Sequence, residues 1–154
     1  MSKNEISAAD VRLGAMNFLA LREHSIKELT DKLVRKYGQS EHIEKAIAEL
    51  AEQGLQSDER FAEAFIRMRQ RQGKGSSLIK MELRERGISS CLVDTLIDER
   101  DTMWTKLARE VRSKRFTELP AGAREKAKQM RFLHSRGFAS HHIQAAFSGL
   151  FDNS

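Results

Sequence analysis

The sequence contains little cysteine, little proline and no long hydrophobic run, and each shortage excludes a class of protein. One cysteine and one proline occur in 154 residues. A single cysteine excludes an internal disulfide framework and fits a reducing compartment, and we expect Cys91 to be a small buried hydrophobic residue. The most apolar run without charge, residues 13–21, is nine residues long, far short of the roughly 20 that cross a bilayer. The polar amino-terminal stretch lacks the pattern of a secretory signal, so we predict a soluble cytoplasmic protein without a membrane segment.

Motifs for catalysis or for a cofactor are also missing. The stretch 73–76, Gly-Lys-Gly-Ser, lacks the upstream glycine of a phosphate loop, and we interpret it as a flexible turn between helices with a solvated lysine. His141 and His142 are adjacent, so on a helix they point about 100 degrees apart, and no cysteine or carboxylate cluster completes a metal-ligand set. No nucleophile elbow or zinc-protease helix occurs. We therefore predict no catalytic residue, no metal and no cofactor, and a protein that is not an enzyme.

Residues that favour helix dominate what is present. Leu, Ala, Glu, Lys, Arg and Gln are frequent and lose little rotamer freedom in a helix, and no stretch shows sustained alternation of period two. Hydrophobic residues make up 40% of the chain and charged residues 32%, a balance that fills a core and leaves a charged surface. This composition predicts an all-α protein.

The chain repeats itself with a period of fifty residues. Gly87 and Gly137 match in this register, whereas the first copy has Tyr37 there and a glycine one place later, at Gly38, which indicates a one-residue change in the turn. The other matching positions are Leu33/Leu83/Leu133, Lys36/Arg86/Arg136, Ser40/Ser90/Ser140, Ile43/Val93/Ile143 and Ile47/Ile97/Phe147.

Each copy is predicted to hold three helices. Ser7 with Asp10 and Ser25 with Glu28 have the spacing of capping boxes, and Gly38 can end the second helix. Apolar residues at helical spacing follow each start, and nine such helices of about 15 to 18 Å build an extended or curved array. We predict an all-α fold of three tandem three-helix, helix-turn-helix-like repeats. Their boundaries are 1–56, 57–100 and 101–154.

The positive charge lies mainly in the third copy. The net charge is +5, and residues 101–154 hold ten basic and five acidic groups. A basic surface attracts polyanions or acidic protein surfaces, and several cations are three or four residues apart, which lines a helix side. We predict partner binding by Arg67, Arg69, Arg71, Lys74, Lys80, Arg84, Arg86, Arg109, Arg112, Lys114, Arg115, Arg124, Lys128, Arg131 and Arg136.

Two helices joined by a short glycine turn are also typical of helix-turn-helix DNA readers, whose second helix offers polar or basic side chains to bases. Here residues 90–99 have no Arg or Lys and three acids, and residues 140–150 have no formal charge. Residues 41–53 have four Glu against one Lys. A transcriptional regulator that reads duplex sequence is thus disfavoured, while a module that binds nucleic acid directly through its basic faces stays open as an alternative.

Ordered motifs in all three copies carry a family resemblance. The first copy has Phe18-Leu19-Ala20-Leu21-Arg22-Glu23-His24-Ser25, then Glu28-Leu29 and Lys32-Leu33. The second has Asp58-Glu59-Arg60-Phe61-Ala62, Arg71, Gly73, Gly75, Glu82-Leu83 and Gly87-Ile88. The third has Arg131-Phe132-Leu133 and Arg136-Gly137-Phe138. Together, over residues 8–151, they resemble the RecX family of bacterial RecA regulators.

This resemblance implies three tandem three-helix modules that lie in the helical groove of a RecA filament on single-stranded DNA. It implies a negative regulator that limits filament growth and lowers ATP hydrolysis, strand exchange and co-protease activity, and so tempers the SOS response. The expected partners are the RecA filament and, through it, single-stranded DNA, with weak direct DNA contact in addition. We expect a monomer, because no leftover hydrophobic helix demands a self-partner.

Overall fold

Nine α-helices and no strand are present in the computed structural model, which describes residues 6–148. The predicted all-α fold is therefore confirmed. The helices are α1 (Ala8–Leu21), α2 (Ile26–Tyr37), α3 (Glu41–Glu52), α4 (Asp58–Arg71), α5 (Ser76–Glu85), α6 (Ser90–Leu96), α7 (Met103–Arg115), α8 (Ala123–Ser135) and α9 (Ser140–Phe147). We call α1–α3, α4–α6 and α7–α9 the first, second and third modules.

The helix ends are set by the capping residues that the sequence indicates. Both capping boxes form: the Ser7 hydroxyl accepts from the Asp10 amide at 3.1 Å, and the Ser25 hydroxyl from the Glu28 amide at 3.1 Å. Each acidic side chain accepts in return from the backbone N–H of its serine. Gly38 ends α2 with a φ of +80°, a left-handed conformation that glycine adopts without a Cβ penalty.

One apolar core forms in each module around the middle helix. Leu33, Leu83 and Leu133 occupy the same repeat position, are fully buried and lie in three separate cores. The fifty-residue repeat is thus a repeat of core positions, as stacked repeat proteins require. Helix lengths vary more than expected, from 7 to 14 residues, or about 10 to 21 Å at 1.5 Å per residue.

Trp104 joins the second and third modules. It belongs to α7, yet its side chain lies in the core of the second module. Its indole N–H donates to the Asp98 carbonyl at 3.2 Å, and its ring stacks on His142 of α9 with centroids 6.3 Å apart. The start of the third module is therefore anchored inside its neighbour.

The Gly-Lys-Gly-Ser stretch at 73–76 is a packed joint, and the prediction of a flexible turn with a solvated lysine is wrong. The Gly75 amide donates to the Arg136 carbonyl at 2.9 Å. A Cβ at Gly75 would lie 2.5 Å from the Phe138 nitrogen, so only glycine allows this approach. Lys74 is partly buried; burial, then the charge of Arg136, lowers its pKa.

A related joint, here called the first joint, connects the first and second modules, and the joint at 73–76 between the second and third modules is called the second joint. The Ser25 hydroxyl donates to the Arg86 carbonyl at 2.8 Å, and the first amide of α2 donates to the Asp58 carboxylate at 2.8 Å. Ser25 and Arg86 lie fifty positions before Gly75 and Arg136. In both joints the start of a middle helix is therefore held by the arginine carbonyl that precedes a glycine turn of the following module.

Two expectations about apolar residues are wrong. Cys91 is exposed, because the seven-residue α6 turns only one of its sides, with Val93, fully into the core. Helix α1 leaves an uncharged outer stripe, with Leu13 62% exposed and Met16 and Ala20 beside it. A leftover apolar face therefore exists, although the expectation of a monomer stays a prediction. No helix within residues 6–148 combines the length and the apolar character that a membrane span needs.

Candidate partner-binding surface

A basic groove lies where α4, α7 and α8 meet, next to the joint between the second and third modules. Its volume is about 680 Å³. Four cations line it, Arg71, Lys114, Arg115 and Arg136, against one carboxylate, Glu110. Arg71 ends α4, Lys114 and Arg115 end α7, and Arg136 follows α8. Three helix ends thus bring to one place cations that are far apart in sequence.

An aromatic ring forms part of the groove wall and orders two of the cations. The guanidinium carbons of Arg115 and Arg136 lie 5.7 and 5.3 Å from the centroid of Phe132. Phe116 meets the same ring edge to face at 5.5 Å. Since a guanidinium group is attracted to the face of an aromatic ring within about 6 Å, these contacts limit the freedom of both arginines at the surface.

The positive charge of the groove is not neutralised within residues 6–148. None of the four groove cations has a carboxylate oxygen within 4 Å there. The pKa of the neighbouring Lys74 is lowered by burial first and then by the charges of Arg136 and Arg69, which indicates a positive local potential. An anionic group from a partner would relieve this repulsion.

Arg112, which we predicted to contact a partner, is instead part of the interior. It is 7% exposed, and its Nη1 donates to the Gln129 side chain at 3.1 Å and to the Glu118 carbonyl at 3.3 Å. The helical spacing of the basic residues on α7 turns this one toward α8. Arg112 therefore holds the 116–122 loop against the third module and is not available at the surface.

Two further predicted contacts form ion pairs inside the second module. Arg69 makes a two-pronged pair with Glu82, at 2.9 and 3.0 Å, which ties α4 to α5. Lys80 lies 3.7 Å from both Asp94 and Glu99. Both cations are less than one-fifth exposed, so their main contacts are structural.

Arg86 and Arg109 also make internal contacts. Arg86 lies over the Phe65 ring at 4.6 Å and is 3.8 Å from Glu28 of the first module. Arg109 donates to the carbonyls of Ala145, Ala146 and Ser148. It thereby caps the carbonyl end of α9, where a cation is favoured by the helix dipole.

The remaining predicted residues are exposed but lie outside the basic groove. They do not form one cluster with it, and none has a carboxylate within 4 Å among the residues described. They are Arg67, Arg84, Arg124, Lys128 and Arg131. Of the fifteen predicted residues, the structure thus gathers Arg71, Lys114, Arg115 and Arg136, with Lys74 near them.

The sequence reasoning missed a second basic cluster, in the first module. Lys32, Arg35 and Lys36 of α2 surround Phe18 in a pocket of about 250 Å³. Their spacing of three and four residues was a signal that could have revealed them. The near-neutral charge of the first copy concealed it, because that copy also holds acidic residues on other parts of its helices, four of them on α3.

The two adjacent histidines do not point apart as expected. The rings of His141 and His142 are 4.0 Å apart, and their Nε2 atoms lie 3.5 and 2.6 Å from the Glu99 carbonyl. Nothing in the described part of the chain gathers three His, Cys, Asp or Glu side chains around a position for a metal ion.

Comparisons with known proteins identify the architecture. Models of the first, second and third three-helix domains of RecX match residues 14–50, 57–97 and 102–147. "Regulatory protein RecX" of Halorhodospira halophila is 37% identical over 95% of this chain and 91% of its own length. That of Pseudomonas fluorescens is 40% identical over 90% of each chain. A crystal structure of RecX from Lactobacillus salivarius, 20% identical, has a TM-score of 0.80 over 93% of this chain and 96% of that chain, which shows a shared fold.

Proposed function

The chain belongs to the RecX family of regulatory proteins, and on this basis we propose that it restrains the RecA recombinase. It binds the RecA filament on single-stranded DNA and limits filament growth. Through this it lowers ATP hydrolysis, strand exchange and co-protease activity, and so acts in DNA repair, recombination and the SOS response. Its place of action is the cytoplasm, where that filament forms, and it acts as a monomer.

The observation that carries the proposal is the basic groove at the second joint. Four cations face one carboxylate there, and the two modules that form it are fixed by Trp104 and by backbone hydrogen bonds from Gly75, Ser77 and Leu78. A groove of constant shape and charge suits a partner whose subunits repeat at constant spacing. Moderate contacts made by linked modules then add, because each contact after the first is intramolecular.

We propose the module boundaries 1–56, 57–100 and 101–154, which the three separate cores support. The proposed action is binding alone. It requires no catalytic residue, metal or cofactor.

Direct nucleic-acid binding is the second candidate function. The observation that favours it is the pairing of groove cations with the Phe132 ring, since proteins that bind single strands combine cations with aromatic rings. Reading of duplex sequence has no such support. Helices α6 and α9, which would enter a groove of DNA, carry no Arg or Lys.

The proposal is tested by titrating the single-stranded-DNA-dependent ATPase of RecA with the full chain. We expect inhibition by equimolar protein, and weaker inhibition by an Arg71→Gln/Lys114→Gln variant, which removes two exposed groove charges. A Lys45→Gln/Lys106→Gln variant, which removes two exposed lysines elsewhere, serves as the charge-matched control. An ATPase rate that equimolar wild-type protein leaves unchanged would refute the proposed function.

A further inference from the structure

The basic cluster of the first module has the composition of an anion site. Its pocket of about 250 Å³, here called the first-module pocket, is lined by Phe18, Lys32, Arg35 and Lys36 alone. The ammonium groups of Lys32 and Lys36 lie 5.3 and 5.8 Å from the Phe18 centroid. The ring therefore helps to hold two cations over one spot instead of letting them separate in solvent.

A buried histidine positions one of these cations. His24 is 1% exposed; its Nε2 lies 2.8 Å from the Lys32 ammonium, and its Nδ1 lies 3.0 Å from the Arg22 carbonyl. Burial, followed by the charges of Arg22 and Lys32, lowers its pKa below 6.5, although the hydrogen bond to the Arg22 carbonyl acts in the opposite direction. The ring is therefore neutral at pH 7, with Nδ1 donating to the carbonyl and Nε2 accepting from Lys32.

The charge of the first-module pocket is uncompensated, unlike that of a neighbouring pocket. Lys32, Arg35 and Lys36 have no carboxylate within 4 Å among residues 6–148. A pocket of about 430 Å³ at the first joint also holds arginines, but there Arg22 and Arg86 lie 3.0 and 3.8 Å from Glu28. Glu28 thus partly neutralises the arginines of the pocket at the first joint, whereas no described carboxylate neutralises the cations of the first-module pocket.

The lining of the first-module pocket fits a nucleic acid better than a protein. Lysine is depleted in protein–protein interfaces, which have an apolar centre, whereas interfaces with nucleic acid are wet and strongly positive. Three cations and one half-buried ring match the second type. We propose that the first-module pocket binds the phosphodiester backbone of single-stranded nucleic acid directly, with Lys32, Arg35 and Lys36 as the contacting residues.

This site does not depend on filament binding, and it adds to the second candidate function a nucleic-acid site outside the basic groove. Lys36 occupies the repeat position of Arg136, a cation of the basic groove. The first and third modules thus each present this cation beside a phenylalanine, Phe18 in one and Phe132 in the other. A strand bound at the first module is therefore held by a site separate from the basic groove.

The test is the anisotropy of fluorescein-labelled oligo(dT) titrated with the full chain, without RecA, over a range of salt concentrations. Single-strand binding weakens with a slope of about −0.7 per phosphate contact in log K against log salt. An Arg35→Gln/Lys36→Gln variant should therefore flatten the slope by about 1.4 and lose up to about 25-fold in affinity at about 0.1 M salt. Arg35→Gln alone, at an exposed position, should lose up to about fivefold.

The Lys45→Gln/Lys106→Gln control removes the same charge elsewhere and should lose much less than the pocket variant. An abasic oligomer should show the same difference between wild type and pocket variant, since the proposed contacts are to phosphate. The proposal is overturned by a wild-type chain that does not bind the oligomer, by equal losses in pocket and control variants, or by a loss seen only with bases present. Unchanged oligomer binding together with weaker filament binding would assign the pocket to a protein and overturn it too. Inhibition of the RecA ATPase is measured separately, so a failure of the proposed function can be distinguished from a failure of the first-module pocket to bind nucleic acid.

Discussion

Replacing Gly75 by alanine tests whether the second joint is rigid. If residues 73–76 formed a loose turn, Gly75→Ala would stabilise the chain by about 0.4 to 1 kcal/mol, because φ is −90° there and alanine restricts the unfolded state. In the structure the added Cβ lies 2.5 Å from the Phe138 backbone nitrogen. The turn at 73–76 and the turn at 136–138 must therefore move apart. Separation strains the hydrogen bonds from Gly75, Ser77 and Leu78 to the turn at 136–137.

The expected loss of stability is large enough to distinguish a packed joint from a loose turn. Three hydrogen bonds at about 1 kcal/mol each and an overpacking cost of about 1 kcal/mol sum to a destabilisation of about 4 kcal/mol. Urea unfolding followed by the fluorescence of Trp104, the single tryptophan, reports on this joint. Gly54→Ala is the control: φ is +76° and nothing lies within 4 Å, so its cost is the left-handed strain of about 1 to 2 kcal/mol. A Gly75→Ala protein as stable as wild type would refute the reasoning.

The other predictions concern buried polar groups. Arg112→Ala leaves the buried Gln129 side-chain oxygen without its donor and removes one of the two donors to the Glu118 carbonyl. It should lower the free energy of unfolding by about 2 to 4 kcal/mol. Arg124→Ala, at an exposed position, should change it by less than about 0.5 kcal/mol, and equal urea midpoints would contradict this. Ser25→Ala removes a helix cap and the hydrogen bond between the first two modules and should cost about 2 kcal/mol, as thermal unfolding would show. Because the pKa of His24 is lowered from 6.5, the unfolded chain binds its proton more readily, so stability should be complete above pH 6.5 and fall as pH drops through the folded value. Burial raises the pKa of Glu28, but hydrogen bonds from Arg22 and Ser25 together with nearby positive charge lower it by more, so that the pKa lies below 4.5. Glu28 should therefore contribute stability above pH 4.5 that is lost as the pH falls through its folded value. A His24→Gln chain with an unchanged pH dependence of unfolding between pH 7 and 5 would contradict the histidine part.

Local signals in the sequence predict the helices and cores well. A capping box such as Ser25 with Glu28 acts within four residues, and core positions such as Leu33 and Leu83 follow from helical periodicity and the repeat. Both depend on neighbours along the chain. They could therefore be predicted without knowledge of which helices pack together.

Contacts between modules could not be predicted in the same way. Gly75 has the appearance of a turn residue until the backbone at 136–138 is placed against it. Tyr37 replaces the turn glycine of the other copies and packs against Gly14 of its own module. The matching residue of the third module, Gly137, instead contacts Leu78 of the neighbouring module. The same repeat position thus serves two different packing roles, which sequence comparison records only as a mismatch.

Charge grouping predicted all four cations of the basic groove, missed the cluster of the first module, and assigned Arg112 wrongly to the surface. Spacing places Arg112 on a helix side but does not say that α8 covers that side. Arg71 and Lys114 are far apart in sequence and meet only because the second joint brings α4 and α7 together. A count of basic residues by segment therefore indicates where positive charge is frequent, and the tertiary contacts decide which of it is free.

Binding of the RecA filament by the basic groove is tested most directly by measuring the affinity of the chain for that filament. Cys91, the single cysteine, is exposed and lies outside the groove lining, so it can carry a fluorescent label whose anisotropy reports binding to preformed RecA filaments on single-stranded DNA. We predict that Arg71→Gln/Lys114→Gln weakens filament affinity by about tenfold, or about 1.4 kcal/mol, while Lys45→Gln/Lys106→Gln stays within about twofold of wild type. Equal affinity of the groove variant and the wild-type chain would contradict the claim.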